Sequence, residues 1–396
     1  TVPTVGAGTV NTEFEILTGM RQHDFGVSEY PYKTVLKSKT SESICTDLKK
    51  LGYSTHAVHN NEATFYGRNT VFSNIGFDTF CSMEYMNGLT DSPNGWSNDD
   101  VLSREIMKTL DSTSGPDFTM AITVQSHGKY DGIALDDPTI KVTGAPEGKE
   151  QAYEYYVNEI HEVDRMIDTL IKELSNRKEE TVLVLYGDHL PSLDIQKDDL
   201  SNANLYQTQY VVWDNMNLKK KTKNLHAYQL YAEVLDRIQI HEGMITKYHQ
   251  QTKHRSKLYL TGLTTLSYDL LYGDNYAYDG KNPFKQTELQ MGTEPVKLTS
   301  VQKTKSGYRV VGSGFTPYCK VYYDGTLVES EWISSECLQL QDEFELDEAD
   351  KKDSGEPETE VTEPRDVPNA FVVEVQSDDG VVLSSTQAYP ASQVKK

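Results

Sequence analysis

The 396-residue sequence is poor in the features that would place it in the simplest classes. It holds four cysteines, Cys45, Cys81, Cys319 and Cys337, and none forms a Cys-x-x-Cys pair. That removes the usual zinc frameworks. Ordinary burial is the reading for all four, although Cys319 and Cys337 share one β-rich segment and could bridge in an oxidising compartment. No apolar run approaches the ~18 residues needed to cross a bilayer, and no basic-then-apolar leader opens the chain. The first residue is Thr1 rather than Met, so the chain is read as a processed or excised piece, with any anchor expected upstream. Positive charge is scarce as well: 38 Lys and Arg stand against 60 Asp and Glu, a net charge of −22. Binding a phosphate backbone needs a basic face, so nucleic acid is excluded as a partner. Two candidate zinc-protease helices, at His161-Glu162 and His241-Glu242, lack the second histidine four residues on.

What is present points to a globular protein of two or three domains, with 37% hydrophobic and 25% charged residues. Through residue ~280, helical and strand patterns alternate. Residues 10–18 read as a helix stopped by Gly19, and 41–51 as a second stopped by Gly52. STHAVH reads as a strand ending at His59, and DFTMAITVQSH as a longer one ending at His127. Tyr156, Ile160, Val163, Ile167, Leu170 and Leu174 mark a long amphipathic helix within 153–175. TVLVLYGDH follows, an apolar strand ending in Asp188-His189, whose continuity predicts burial on both faces in a parallel sheet. A further helix is expected around Tyr228 to Ile238. The expected fold is an α/β, doubly wound, mainly parallel sheet over 1–280. YDGKNPFKQTE supplies turn residues for a linker at 281–295. Residues 296–396 alternate short strands with Asp-Gly turns, the pattern of a small all-β sandwich. An insert at 342–366 holds twelve acids and three bases, a solvated loop by composition.

In open α/β sheets ligands bind beyond the carboxyl ends of the strands. Three strand ends here carry His59, His127, and Asp188 with His189. A lone strand-end histidine is more often structural; three at one rim form a pattern. Asp188 and His189 are the candidate metal ligands, and a set of Asp, His and hydroxyl suits manganese, magnesium or zinc. The bland alternative is Asp188 capping a turn. Thr9 follows Gly6 and Gly8 and opens a helix. It reads either as a simple N-cap or as a nucleophile held at a positive helix end that favours anions. A threonine hydroxyl needs a base or a cation to activate it. Arg68, in TFYGRN, matches phosphate oxygens through its planar fork of donors. Tyr66 beside it lines a pocket or the core.

The motifs GAGTVNTEF, FYGRN, VQSHGKY and YGDHLP, in this order, resemble the lipoteichoic acid synthases. These are phosphoglycerol transferases of the alkaline phosphatase and sulfatase superfamily. The resemblance covers about residues 1–275; the C-terminal part is similar to the Ig-like IPT/TIG-type domains of clostridial-type members. It implies Thr9 as nucleophile and metal ligand, Asp188 and His189 as metal ligands, and His127, Arg68, His59 and Tyr66 as substrate-binding residues. The Phe-Trp-Asn-Arg motif of the family is altered, with Tyr66 for Trp and Gly67 for Asn, and Asn61 stands where some members carry Asp. The resemblance also implies a further metal-binding glutamate and first strand upstream of this chain, so the piece without them is expected to be a poor or inactive enzyme. It implies a divalent metal, first Mn²⁺, with phosphatidylglycerol as donor and a polyglycerolphosphate chain as acceptor. The expected location is the extracellular face of a Gram-positive-type cell membrane, with the anchor outside this chain. A sulfatase would need a Cys/Ser-x-Pro-x-Arg motif, which is absent. A phosphoethanolamine transferase, a phosphodiesterase and a non-catalytic extracellular binding module are the alternatives.

Overall fold

The computed structural model describes residues 2–3, 8–26, 29–341, 344–346 and 363–395. Its helices are α1 (Thr9–Thr18), α2 (Ile44–Lys49), α3 (Arg68–Asn74), α4 (Asp100–Asp111), α5 (Glu150–Asn176), α6 (Leu230–Arg237), α7 (Met244–Gln251) and α8 (Lys257–Leu271). The strands of the first part are β1 (Val2–Pro3), β2 (Ser54–His59), β3 (Thr79–Cys81), β4 (Asp117–Ile122), β5 (Val182–Tyr186), β6 (Gln207–Thr208), β7 (Tyr210–Asp214) and β8 (Gln290–Met291). The remainder are β9 (Lys297–Thr304), β10 (Gly307–Ser313), β11 (Cys319–Tyr323), β12 (Thr326–Val328), β13 (Ser330–Ser334), β14 (Cys337–Leu340), β15 (Ala370–Gln376), β16 (Val382–Ser385) and β17 (Tyr389–Pro390).

These elements fall into two units: residues 1–57, 66–78 and 90–289 in the first, and 58–65, 79–89 and 290–396 in the second. Strand β2 is cut by the division, its first four residues belonging to the first unit and its last two to the second. The architecture is a mainly parallel sheet with covering helices, followed by antiparallel β sheets.

In the first unit, the helices expected at 10–18, 41–51, 153–175 and about 228–238 are found as α1, α2, α5 and α6, with α2 shorter than read, whereas α3, α4, α7 and α8 were not anticipated. α2 starts where Ser43 accepts hydrogen bonds from the Cys45 and Thr46 N–H groups and Thr46 Oγ1 accepts one from the Ser43 N–H. This reciprocal cap satisfies donors that a helix start otherwise leaves open. α5 buries Met166, Leu170 and Leu174, a stripe at i, i+4 and i+8, and packs against α4. α1 ends on Gly19 at φ 69°, a left-handed position. A Cβ there would lie 2.7 Å from Ile245 and 2.9 Å from Tyr231, so only glycine fits. Ile16 of α1 packs with Leu225, Ala227 and Leu230, against Val184 and Tyr186 of β5 and Tyr210 of β7. That core lays α1 beside the end of β5.

Two expectations are corrected here. β5 is not a doubly buried parallel strand: it pairs antiparallel with β7 from Val182↔Asp214 to Tyr186↔Tyr210, and every residue in it is half-buried. Its apolar side chains serve a two-stranded ribbon partly covered by the α1 cluster, which accounts for the unbroken run. The strand read as reaching His127 stops at Ile122. The N–H groups of Val124 and Gln125 turn to Asp99 Oδ1, at 2.9 and 3.3 Å, and the Val124 carbonyl accepts the His127 N–H. His127 therefore lies on a turn five residues past the strand.

In the second unit, β3 and β8 pair in parallel, and β8 falls inside the segment read as linker. Beyond it stand two antiparallel sheets, ordered β13-β14-β10-β9 and β12-β11-β15-β16, with β17 on β15. Asp324 and Gly325, at φ 48° and 72°, make the tight turn from β11 to β12 that the Asp-Gly pair predicts. Tyr308, Phe344 and Phe371 meet edge to face at 5.5 and 5.8 Å in its core. All four cysteines are free thiols, Cys319 on β11 and Cys337 on β14. The acidic insert read at 342–366 lies largely outside the described residues, as does Gly6.

Candidate active site

The site is built from first-unit residues around the N-terminal turn of α1. Gly8 is the N-cap in extended conformation and offers no side chain, so the first N–H groups of the helix have no side-chain cap. Thr9 is the first helical residue and is half-exposed. One turn on, Thr12 is fully buried and its Oγ1 donates to the Asp188 carbonyl at 3.0 Å. Residues three apart share a helix face, so this bond brings the Thr9 face of α1 to the segment carrying Asp188.

Asp188 and His189 follow β5. Asp188 Oδ1 accepts the His189 backbone N–H at 3.0 Å, and its Oδ2 lies 3.5 Å from His189 Nε2. His189 Nδ1 is 2.8 Å from the Leu190 carbonyl. A carbonyl only accepts, so Nδ1 carries the proton and Nε2 turns its other valence to the carboxylate. A carboxylate oxygen and an imidazole nitrogen facing each other at that separation suit two ligands of one cation, each ~2.1 Å from it. The residues present therefore fit a divalent ion as part of a donor set. Among the described residues, no third His, Cys, Asp or Glu completes a cluster.

His127 joins this pair. Its ring meets that of His189 edge to face at 6.2 Å and that of Trp96 at 5.0 Å. His127 Nδ1 is 2.8 Å from the Gly128 carbonyl, which also accepts Trp96 Nε1–H at 3.0 Å. The His127 carbonyl accepts Asn94 Nδ2–H at 2.9 Å. Nε2 of His127 is thereby left for a substrate. Gly128 fits closely: a Cβ there would lie 2.4 Å from Ser192 Oγ, so the two histidine loops meet at a glycine.

Arg68 is 1% exposed, and its guanidinium forks onto Glu13, Nε to Oε1 at 3.2 Å and Nη2 to Oε2 at 2.9 Å. Tyr32 donates its hydroxyl to the same Oε1 at 3.1 Å. Burial alone would lower the Arg68 pKa; the Glu13 carboxylate outweighs it and holds the guanidinium above its ordinary value. Burial, with Glu13 beside it, pushes the Tyr32 hydroxyl well up. Tyr66 sits at φ 61°, a position costly for an aromatic residue, on the order of 1–3 kcal/mol. That turn stacks its ring on Tyr30 at 6.4 Å, with the Arg68 guanidinium 5.5 Å from the ring centre. Lys33 Nζ stands 5.0 Å from the Tyr30 ring and 5.1 Å from the Tyr66 ring.

Of the residues singled out in the sequence, the structure thus gathers Thr9, Asp188 and His189 through the Thr12 bond, His127 through the ring contact, and Arg68 with Tyr66 through Glu13 of the same helix. His59 is buried at the end of β2, in the second unit. Sequence reasoning passed over Glu13, Tyr30 and Trp96. Glu13 carried a signal: it lies four residues after Thr9, on the same helix face.

The sulfatase family's sequence model matches residues 2–240. The chain belongs to the sulfatase family. This sulfatase-family chain is 31% identical over 237 residues to the putative cyclic beta-1,2-glucan modification protein of Rhizobium meliloti, covering 55% of this chain and 36% of that protein. It is 24% identical over 199 residues to lipoteichoic acid synthase 2 of Bacillus subtilis, covering 49% and 30%. It spans about a third of the length of these curated relatives. Among solved structures, the Streptococcus pyogenes phosphoglycerol transferase GacH, in complex with sn-glycerol-1-phosphate, has the same fold. The TM-score is 0.58 at 20% identity, over 72% of this chain and 79% of that one.

Proposed function

We propose that this chain is the catalytic part of a metal-dependent phosphoglycerol transferase acting at the extracellular face of a cell membrane. The observation that carries the reading is the hydrogen bond from Thr12 to the Asp188 carbonyl, which holds the Thr9 helix against the Asp188–His189 pair. The names of relatives agree: lipoteichoic acid synthases by sequence, and a phosphoglycerol transferase by fold.

Asp188 and His189, with the Thr9 hydroxyl, would hold a divalent cation, manganese first, with magnesium or zinc as substitutes. Such an ion lowers the pKa of a hydroxyl and screens the charge at phosphorus. Thr9 Oγ attacks the phosphorus of phosphatidylglycerol. The bond to the diacylglycerol oxygen breaks, and His127 protonates that oxygen as it leaves. Phosphoglycerol remains esterified to Thr9. An acceptor hydroxyl then attacks the same phosphorus, giving its proton to His127, and Thr9 leaves. Arg68, fixed by Glu13, and the positive end of α1, which has no side-chain cap, stabilise the charge on the phosphoryl oxygens.

For the acceptor, two readings stand. A polyglycerolphosphate chain follows from the lipoteichoic acid synthases. A saccharide follows from the names of the two Rhizobium meliloti relatives, which concern a glucan and a capsular polysaccharide. The test is incubation of the protein, extended to include the upstream strand with its implied glutamate, with glycerol-labelled phosphatidylglycerol and Mn²⁺. Label should appear on the protein at Thr9 and chase to the correct acceptor. Label that persists in Thr9→Ala, or that never forms with the unaltered chain, overturns the proposal.

A further inference from the structure

Asn11 lies in the first turn of α1, two residues after Thr9, and is 7% exposed. Its carbonyl oxygen is fully covered and has no hydrogen-bond partner, and no described residue bonds its Nδ2. Burying an amide without partners costs free energy, and such a group in a native fold calls for an explanation. Most of the surrounding polar groups are satisfied: Thr12 holds Asp188, and Glu13 holds Arg68 and Tyr32. The other exception is Arg68 Nη1, also buried and unpartnered. Leucine would fill the Asn11 position at lower cost if packing were its purpose.

Position supplies the explanation. Asn11 Nδ2 lies 3.4 Å from where a Gly8 Cβ would stand, so the amide lies alongside the N-cap. The Tyr30 ring lies 3.0 Å from the same point, and Tyr30 stacks on Tyr66 beside the Arg68 guanidinium. Lys33 stands over both tyrosines. The helix start, an unbonded side-chain amide and a spare guanidinium N–H thus occupy one neighbourhood with two cationic residues and the carboxylates of Glu13 and Asp188. The helix start, the amide N–H, the guanidinium and the Lys33 ammonium each suit an anion with several acceptor oxygens.

We infer that Asn11 is a phosphate-binding residue, whose side-chain N–H donates to a non-bridging oxygen of the phosphoryl group that Thr9 attacks. The inference deepens the transferase reading and rests on it for the identity of the anion. Rotation about the last side-chain bond can present the N–H at either end of the amide. Arg68 Nη1 supplies a second donor, and the open N–H groups of the helix start supply others. The Tyr30–Tyr66 pair with Lys33 walls the same space.

The test uses the full chain and two probes, inorganic phosphate and glycerol 1-phosphate, read by thermal shift and calorimetry, with adduct formation measured separately. Asn11→Leu removes the amide at similar size. The expected result is an unchanged or raised Tm without ligand, since an unpartnered polar group has gone. Its Kd for both probes should rise ~10–100-fold, the range for a hydrogen bond to a charged group. Asn11→Asp, which adds a negative charge, should bind neither probe. Asn11→Gln, which keeps the amide, should recover part of the affinity. A Tm that falls in Asn11→Leu, with probe affinity unchanged, would make Asn11 structural and overturn the inference. Phosphate binding that depends on Asn11 in a chain that forms no Thr9 adduct would retain this inference while removing the transferase reading.

Discussion

The two ends of α1 are built to opposite rules. At its C-terminal end every strong polar group is answered. Gly19 closes the helix with its N–H on the Glu15 carbonyl, Thr18 Oγ1 donates to the Phe14 carbonyl, and the Gly19 carbonyl meets His249 Nε2 at 2.8 Å. His249 in turn spends Nδ1 on Tyr259 Oη. At the N-terminal end the cap has no side chain, the Asn11 side-chain carbonyl has no partner, and Arg68 keeps one donor spare. Ten residues separate a closed end from an open one. The difference teaches where to look for function: a histidine with both nitrogens engaged holds a fold together, whereas His127 and His189 each commit one nitrogen and keep the other for chemistry.

The sharpest way to break this contrast is at Thr9. Thr9→Ala should cost ~10⁴-fold or more in transfer, as removal of a nucleophile does, while the urea midpoint stays near that of the unaltered chain. A large loss of stability would mean the open end is structural after all. Asp188→Asn and His189→Gln should each cost ~100-fold or more and abolish manganese binding by calorimetry; retained binding would move the metal elsewhere. Arg68→Met leaves Glu13 buried without its partner and should cost about 3–5 kcal/mol in urea unfolding, most of it recovered by adding Glu13→Leu. Failure of the second substitution to rescue would show that the pair does more than neutralise itself.

The closed end is tested by pH. Burial lowers the His249 pKa from 6.5 to about 4, so the folded state binds that proton less readily than the unfolded chain. Its contribution, on the order of 3 kcal/mol, is present in full above pH 6.5 and is lost as pH falls toward 4. Burial raises the Glu15 carboxyl from 4.5 to about 8, the opposite sign. That contribution is present below pH 4.5 and is lost as pH rises through 8. Urea midpoints followed across this range should flatten on the acid side in His249→Gln and on the alkaline side in Glu15→Gln. Equal profiles in all three proteins would remove the case for a buried, neutral C-terminal end.

Much of this was legible in the sequence, because the signals were local. Gly19 set the end of α1 through backbone geometry, and STHAVH matched its strand to the residue. Asp-Gly turns marked the C-terminal hairpins. The failures came where distant residues decide. Nothing near 117–127 shows that Asp99 draws the backbone away at Val124, and nothing in VLVLY distinguishes a ribbon half-covered by α1 from a central parallel strand. Sequence reasoning passes over Glu13, because the arginine it meets lies 55 positions on. The candidate site was read as separate strand ends, and it is brought together by the apolar cluster that packs α1 on β5 and by the Thr12 hydroxyl.

That hydroxyl has a mechanical consequence. A bond from helix side chain to loop carbonyl makes Thr9 and the Asp188–His189 pair travel together during thermal motion. Spacing between them is then governed by the reach of a single threonine, not by the stiffness of a whole sheet. Serine could replace it with little change, whereas valine, equal in shape, would let the two drift apart.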